Sequence, residues 1–296
     1  MFAADRAPMA YPKPLRGIRI VSLALNLPGP AALARLRALG ARCVKVEPPG
    51  GDPMQHYSAV AYETLNQGIS IVRLDLKGPA GQASLHRRLA SADVLLTSFR
   101  PSALRKLGLD ARTRRQRWPA LSCVEIVGAP GAAAEHPGHD LTYQAEAGLV
   151  SGTALPPSLL ADMGGALMAS EAVMQAVLCR HASGRGVDLR VALSDAALWL
   201  AQPLRWGLTG NDQLLGGAHA GYRVYACRDG RVALAALEPH FAAALGLVVG
   251  AGPYTPQDCL QPHAHREVSQ FMARHTCREL QALSRQHDLP LWVMPA

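Results

Sequence analysis

From Gly17 onward the chain alternates short β-branched runs with longer amphipathic stretches, and few architectures accept that alternation. Residues 18–23 read as a strand, 30–39 as a helix and 43–46 as a second strand. The helix is predicted by Ala, Leu and Arg content, by apolar residues at Leu33, Leu36 and Leu39, and by Gly40 where a C-terminal cap belongs. The pattern continues with a strand at 69–74, a helix at 79–89, a strand at 94–96, a short helix at 101–107 and a strand at 121–127. Repeated βα units predict an α/β fold built on a parallel, doubly wound sheet.

After Gly128 the chain turns rich in Ala, Gly and Pro, and a long helix is expected over 162–181, ended by Gly184-Arg-Gly186. A strand at 187–191 and a helix from Ser194 complete a large domain, residues 1–205. Beyond it the order becomes strand (222–227), strand (232–236), helix (241–249), two helices and a strand, which predicts a smaller α+β domain over 206–296. The length of 296 residues and 49% apolar content suffice for two such cores.

Charge narrows the partners without choosing among them. Lys+Arg 30 against Asp+Glu 22 leaves +8, and with only four lysines (Lys13, Lys45, Lys77, Lys106) the excess is nearly all Arg. Nucleic acid, an acidic membrane surface and a phosphate-bearing small molecule all suit such a balance. Aromatic residues make up only 5%, and no helix-turn-helix, zinc or RNP pattern accompanies the basic run 112–117, which reads as a solvated helix face; no nucleic-acid partner is expected. The longest apolar stretch, 232–252, is broken by Glu238, Pro239 and His240, so no membrane helix is expected. Residues 1–14 lack the apolar core of a secretory signal and read as a loose leader. Six cysteines without a CxxC pair complete the expectation of a cytoplasmic, metal-free protein.

Four features could carry chemistry. Asp162 stands at the predicted start of the long helix and is followed by Gly164 and Gly165. An acid at an N-cap is common for structural reasons alone. Two early glycines weaken a helix, and their usual benefit is close approach of a ligand to unpaired backbone N–H groups. His139 precedes Asp140, read as a helix N-cap; such a His is more often a satisfied structural residue than a catalyst. Glu238 directly follows an apolar strand, where a mostly buried acid needs a partner. Arg100 follows a strand end, where open α/β sheets bind ligands. The Gly50-Gly51 and 128–131 loops hold neither Walker nor GxGxxG spacing, which argues against nucleoside triphosphate or nicotinamide binding.

A set of ordered motifs carries a resemblance: Leu15-Arg-Gly-Ile-Arg-Ile20, Gly29-Pro30, Leu39 through Val-Lys45-Val-Glu-Pro-Pro-Gly-Gly-Asp-Pro53, Leu74-Asp-Leu-Lys77, Ala92-Asp-Val-Leu95, Phe99-Arg-Pro101, Leu107-Gly-Leu109, Gly138-His-Asp140, Asp162, Gly184-Arg-Gly186 and Val191-Ala-Leu-Ser-Asp195. The chain resembles the class III coenzyme A transferases, the family of formyl-CoA transferase, carnitine CoA-transferase and α-methylacyl-CoA racemase, from about residue 15 to its end. The resemblance implies a Rossmann-like large domain, a small domain shorter than in longer relatives, and a homodimer of interlocked subunits. The implied substrate is a coenzyme A thioester, with no permanently bound cofactor and no metal, and its phosphates suit the Arg excess.

Carried over by position, Arg100, Ser102, Ala103, Lys106, Asp140 and Tyr143 fall on the CoA site, and Asp162 on the shared catalytic carboxylate. In the transferase branch that carboxylate attacks the thioester. The racemase branch carries Gly-His-Asp, Asp-x-Gly-Gly and a Glu-Pro after a small-domain strand, and this chain has all three in His139, Asp162 and Glu238. Inverting an α-carbon needs a base on each face of the enolate, which suits an imidazole opposite a carboxylate with Glu238 orienting His139. Racemase-like α-proton transfer on a 2-methylacyl-CoA is therefore expected ahead of CoA transfer through Asp162, and ahead of CoA binding without turnover. One segment departs from the family pattern: the usual basic pair before the third strand is replaced by Ile69-Ser70.

Overall fold

Six strands run in one direction through a computed structural model that describes residues 12–210 and 212–296. They are β1 (Arg19–Ser22), β2 (Arg42–Glu47), β3 (Ser70–Arg73), β4 (Val94–Thr97), β5 (Ser122–Val127) and β6 (Asp188–Ala192). Their spatial order is β3-β2-β1-β4-β5-β6, with every neighbouring pair parallel. This is the Rossmann order, and it reverses between β1 and β4, which opens a crevice at the carboxyl ends of those two strands. The reading of residues 1–14 as a leader falls largely on 1–11, which lie outside the described residues.

The strands at the centre are buried on both faces, as their unbroken apolar runs require. Ile20, Val94, Leu96 and Val124 meet helices Pro28–Ala38 and Leu160–Ser183 through Leu33, Leu36, Ala169 and Val173. Alternate residues Val21, Leu95 and Cys123 face the other way, onto Leu85 and Leu89 of helix Pro79–Ala90. Gly40 has a positive φ of 104° just past the first helix, as its predicted capping role requires.

The reading of 112–117 as a solvated face holds for Arg112, Arg115, Gln116 and Arg117, which are exposed, and fails at Arg114. Arg114, in helix Ala111–Arg117, is 1% exposed and pairs with Glu125 at 3.1 Å and Asp188 at 2.6 Å. It ties the helix to β5 and β6, two acids supplying the partners that a buried guanidinium needs.

The chain divides into two compact units, Met1–Ala201 and Gln202–Ala296. The second holds an antiparallel sheet of β7 (Tyr222–Cys227), β8 (Gly230–Ala235) and β9 (Leu291–Pro295) in that order. Helices Pro239–Val249, Pro262–Arg274 and Cys277–His287 cover one face, packing Leu245, Val268, Met272 and Leu280 on Val232 and Leu234. No described helix is long and apolar enough to cross a membrane.

Candidate active site

A cavity of about 500 Å³ lies in the first unit, lined by loops that follow β1, β4 and β5 and by the starts of several helices. Its polar lining includes Asn26, Arg100, His139, Asp140, Tyr143 and Asp162, so five residues singled out from sequence meet there. Ser102, Ala103 and Lys106 lie in helix Pro101–Lys106, which follows Arg100, and do not line the cavity. Glu238 belongs to the second unit.

Asp162 is the third residue of helix Leu160–Ser183, whose N-cap is Leu159. The expected N-cap role for Asp162 thus falls to Leu159, three positions earlier. Its carboxylate accepts no protein hydrogen bond among the described residues; instead its backbone N–H donates to Asp140 Oδ1 at 3.0 Å. Burial, reinforced by the neighbouring Asp140 charge, raises its pKa to about 6. A carboxylate of that basicity is largely ionised at neutral pH yet able to accept a proton from a weak carbon acid.

Gly164 and Gly165 serve packing rather than a ligand. Their N–H groups lie beyond the unpaired first turn, since Met163 N–H already donates to Leu159 O. A Cβ on Gly164 would stand 3.0 Å from Leu200 Cδ1, and one on Gly165 would overlap Leu193 Cδ2. The glycines therefore let helix Leu193–Leu200 lie close against the long helix, and the oxyanion role read from sequence is not theirs.

His139, not Asp140, is the N-cap of helix Asp140–Glu146. Thr142 locks the turn: its Oγ1 donates to His139 O at 2.7 Å and accepts the His139 N–H at 3.1 Å. Both bonds use backbone atoms of His139, and its exposed side chain lies at the cavity wall. Asp140 opens the helix and is 5% exposed; its carboxylate bridges the Asp162 N–H and the Gln144 side-chain amide, which also donates to Ser158 O. Asp140 is thus the brace that joins the two helix starts carrying His139 and Asp162.

Tyr143 lies one turn further on, 7% exposed, with its hydroxyl in a slot that side chains on Gly128 or Gly138 would fill. Burial first, and then the Asp162 charge, raise its pKa, while Arg100 opposes them. Exposed Arg100 caps helix Pro101–Lys106 and makes no ion pair among the described residues, so its guanidinium is open to an anionic ligand. Ser102, by contrast, is engaged: its N–H and its hydroxyl each donate to Glu135 at 2.7 Å, and these bonds hold the Glu135 carboxyl below its usual range.

Glu238 departs most from expectation. It is exposed, sits at the N-cap of helix Pro239–Val249, and makes no side-chain cap bond. The strand that was to bury it ends at Ala235, three residues earlier, so burial supplies no demand for a partner.

Sequence reasoning missed the other wall. Asn26, with φ of 65°, donates its N–H to Asp52 Oδ1 at 3.0 Å, and Met54 N–H donates to the same oxygen. Asp52 in turn pairs with Lys45 at 2.5 Å, and Lys45 with Glu47 at 3.0 Å, all three buried. The Lys45-to-Pro53 motif thus builds an internal ion cluster that positions Asn26 and Met54 at the cavity; the signal was acids and a lysine inside an otherwise apolar strand and turn. His136 also lines the cavity and had no sequence signal beyond its proximity to His139.

The sequence profile of CoA-transferase family III matches residues 15–294. The chain belongs to that family. It is 32% identical over 245 residues to the alpha-methylacyl-CoA racemase of Homo sapiens, covering 77% of this chain and 62% of that protein. It is likewise 32% identical over 251 residues to the succinate–glutarate CoA-transferase of Agrobacterium fabrum, covering 75% and 63%. The match to the probable fatty acyl-CoA transferase Rv3272 of Mycobacterium tuberculosis is 32% over 206 residues, covering 64% and 52%. The crystal structure of Rv3272 superposes with a TM-score of 0.82 at 27% identity, covering 97% of this chain and 86% of that one. The chain spans between about half and just under two thirds of the length of these curated relatives. Racemases and transferases both stand among them, so family membership leaves the reaction to be argued from the site.

Proposed function

We propose that this protein processes acyl-CoA thioesters and that it moves the α-proton of a 2-methylacyl-CoA, with His139 and Asp162 as the two bases. One observation carries the reading: an exposed imidazole and a carboxylate raised to about 6 line the same cavity, their helix starts joined through Asp140. One base takes the α-proton to give the enolate, the other returns a proton to the opposite face, and their roles exchange in the reverse direction. Asp140 positions both helix starts. Arg100 offers the cavity's unpaired cation to the anionic part of coenzyme A, and Ser102, Ala103, Lys106 and Tyr143 complete the proposed CoA surface. Glu238 retains its proposed role as an orienting partner of His139 in the assembled enzyme. A second copy is the proposed partner, in an interlocked homodimer; Leu178 and Trp199, 69% and 68% exposed, are apolar surface suited to such burial.

The second reading is CoA transfer, in which Asp162 attacks the thioester carbonyl and thiolate leaves. It is favoured by the absence of any protein hydrogen bond to the Asp162 carboxylate among the described residues, which leaves the nucleophile free.

The test is incubation with a 2-methylacyl-CoA in deuterated buffer, following loss of the α-proton by NMR. Wild type should exchange, and His139→Ala and Asp162→Asn should not. Full exchange by His139→Ala would eliminate the two-base reading. Absence of exchange in wild type together with CoA transfer to an added carboxylic acid would establish the second one.

A further inference from the structure

Three metal-ligating side chains converge in the second unit, and none of them serves the chemistry described above. Cys227 ends β7, and Cys277 opens helix Cys277–His287. Their sulfurs lie 3.5 Å apart although 50 positions separate the residues in sequence. Asp229, in the tight turn between β7 and β8, completes the group. Its Oδ1 lies 3.9 Å from Cys227 Sγ and accepts the Cys277 backbone N–H at 2.6 Å. The three donor atoms all fall within 4.8 Å of one another, and among the described residues no other group of three His, Cys, Asp or Glu does so.

We propose that Cys227, Asp229 and Cys277 form a binding site for a thiophilic divalent cation of the Zn²⁺ type, held by two thiolates and one carboxylate with water in the fourth position.

The spacing supports a cation over a covalent bond. Metal–sulfur bonds of about 2.3 Å at the tetrahedral angle separate two sulfurs by about 3.8 Å. The 3.5 Å found here is within a few tenths of an ångström of that edge. A disulfide requires about 2 Å, a larger change in the sulfur separation. Combining the same sulfur distance with a metal–oxygen bond of about 2.0 Å gives a sulfur–oxygen edge of about 3.5 Å, against 3.9 Å here.

The ligands are also pre-oriented. Pairing of Cys227 with Gly230 closes the turn that carries Asp229. The Cys277 N–H donates to the Asp229 carboxylate and fixes its position. Cys277 is the first residue of an eleven-residue helix, where the dipole favours a thiolate. On binding, each thiol releases its proton to solvent and a sulfur–metal bond replaces each S–H bond. The sequence expectation of a metal-free protein rested on the lack of a CxxC pair, and the fold supplies proximity that spacing does not show.

The test uses the reduced, full-length protein loaded with Co²⁺, desalted and scanned. Wild type should retain one equivalent, show a sulfur-to-cobalt charge-transfer band in the near ultraviolet, and lose that band to Zn²⁺. Cys227→Ser and Cys277→Ser, each checked for native circular dichroism, should weaken retention by about ten-fold or more, and Asp229→Asn by less. Absence of the band and of retained metal in wild type would overturn the proposal, as would serine variants that bind as well as wild type. Closure of the two thiols to a disulfide in air despite excess Zn²⁺, read by mass spectrometry as loss of two hydrogens, would also overturn it in favour of a redox pair.

Discussion

Replacing Asp162 with Asn should abolish activity and yet make the protein more stable at neutral pH. The carboxyl is raised from 3.8 to about 6, first by burial and second by the Asp140 charge. That is about two pH units, and at about 1.4 kcal/mol each the ionised form costs up to about 3 kcal/mol of folding free energy. Because the folded pKa is raised, the favourable contribution is complete only where the group is protonated in both states, below about 4, and it is lost as the pH climbs through about 6. Asn keeps the shape, carries no charge, and abandons no protein donor, since the carboxylate has none among the described residues. Partial solvent access places the gain nearer 1–2 kcal/mol, about 2–8 °C for a unit of this size. Thermal unfolding of both proteins across the pH range checks it. A variant no more stable than wild type at about pH 7.5, or one whose advantage persists undiminished at about pH 3.5, would refute the reasoning.

Asp140→Asn should lower the Asp162 pKa and move the acid limb of the activity profile to lower pH, because the Asp140 charge is the second cause of the upward shift; an unmoved limb in a pH–rate series would contradict this. Lys45→Met leaves Glu47 and Asp52 fully buried without the cation between them, and should cost about 3–5 kcal/mol in urea denaturation, whereas a loss under about 1 kcal/mol would show the cluster to be dispensable. The two glycines of Gly184-Arg-Gly186 should respond for different reasons. Gly184 has φ of 70° with open space around it, so Gly184→Ala should cost about 1 kcal/mol. A Cβ on Gly186 would overlap the Leu121 carbonyl, which is backbone and cannot swing aside, so Gly186→Ala should cost up to about 3 kcal/mol. Equal losses in chemical denaturation would undo that distinction.

The parallel sheet was legible because its information is local. Buried strands such as β4 and β5 must be apolar throughout, helices between them must be amphipathic, and both demands are written in consecutive residues. The family motifs were legible for a related reason: glycines, prolines and charged residues at strand ends stand out against apolar runs. Five site residues followed from them, since Arg100, His139, Asp140, Tyr143 and Asp162 all line one cavity.

Other assignments depended on contacts between residues distant in sequence. Arg114 reads as a surface residue within its own helix, and only Glu125 and Asp188, 11 and 74 positions away, account for its burial. Gly164 and Gly165 suggest a ligand until Leu193 and Leu200 are seen against them. Glu238 looks buried by continuation of its strand, but β8 stops short and the residue turns outward at a helix start.

By itself, then, the sequence determined the α/β class, the order of the elements, the family and the residue types available for proton or acyl transfer, because periodicity and motif spacing are properties of neighbours along the chain. Tertiary structure alone decided which groups are charged, paired or free: that Asp140 braces Asp162 across 22 residues, that Asp52 holds Asn26 across 26, and that Cys227 meets Cys277 across 50. Desolvation and coulombic interaction act through space, so the chemistry of a carboxylate or a thiol is set by neighbours that folding supplies.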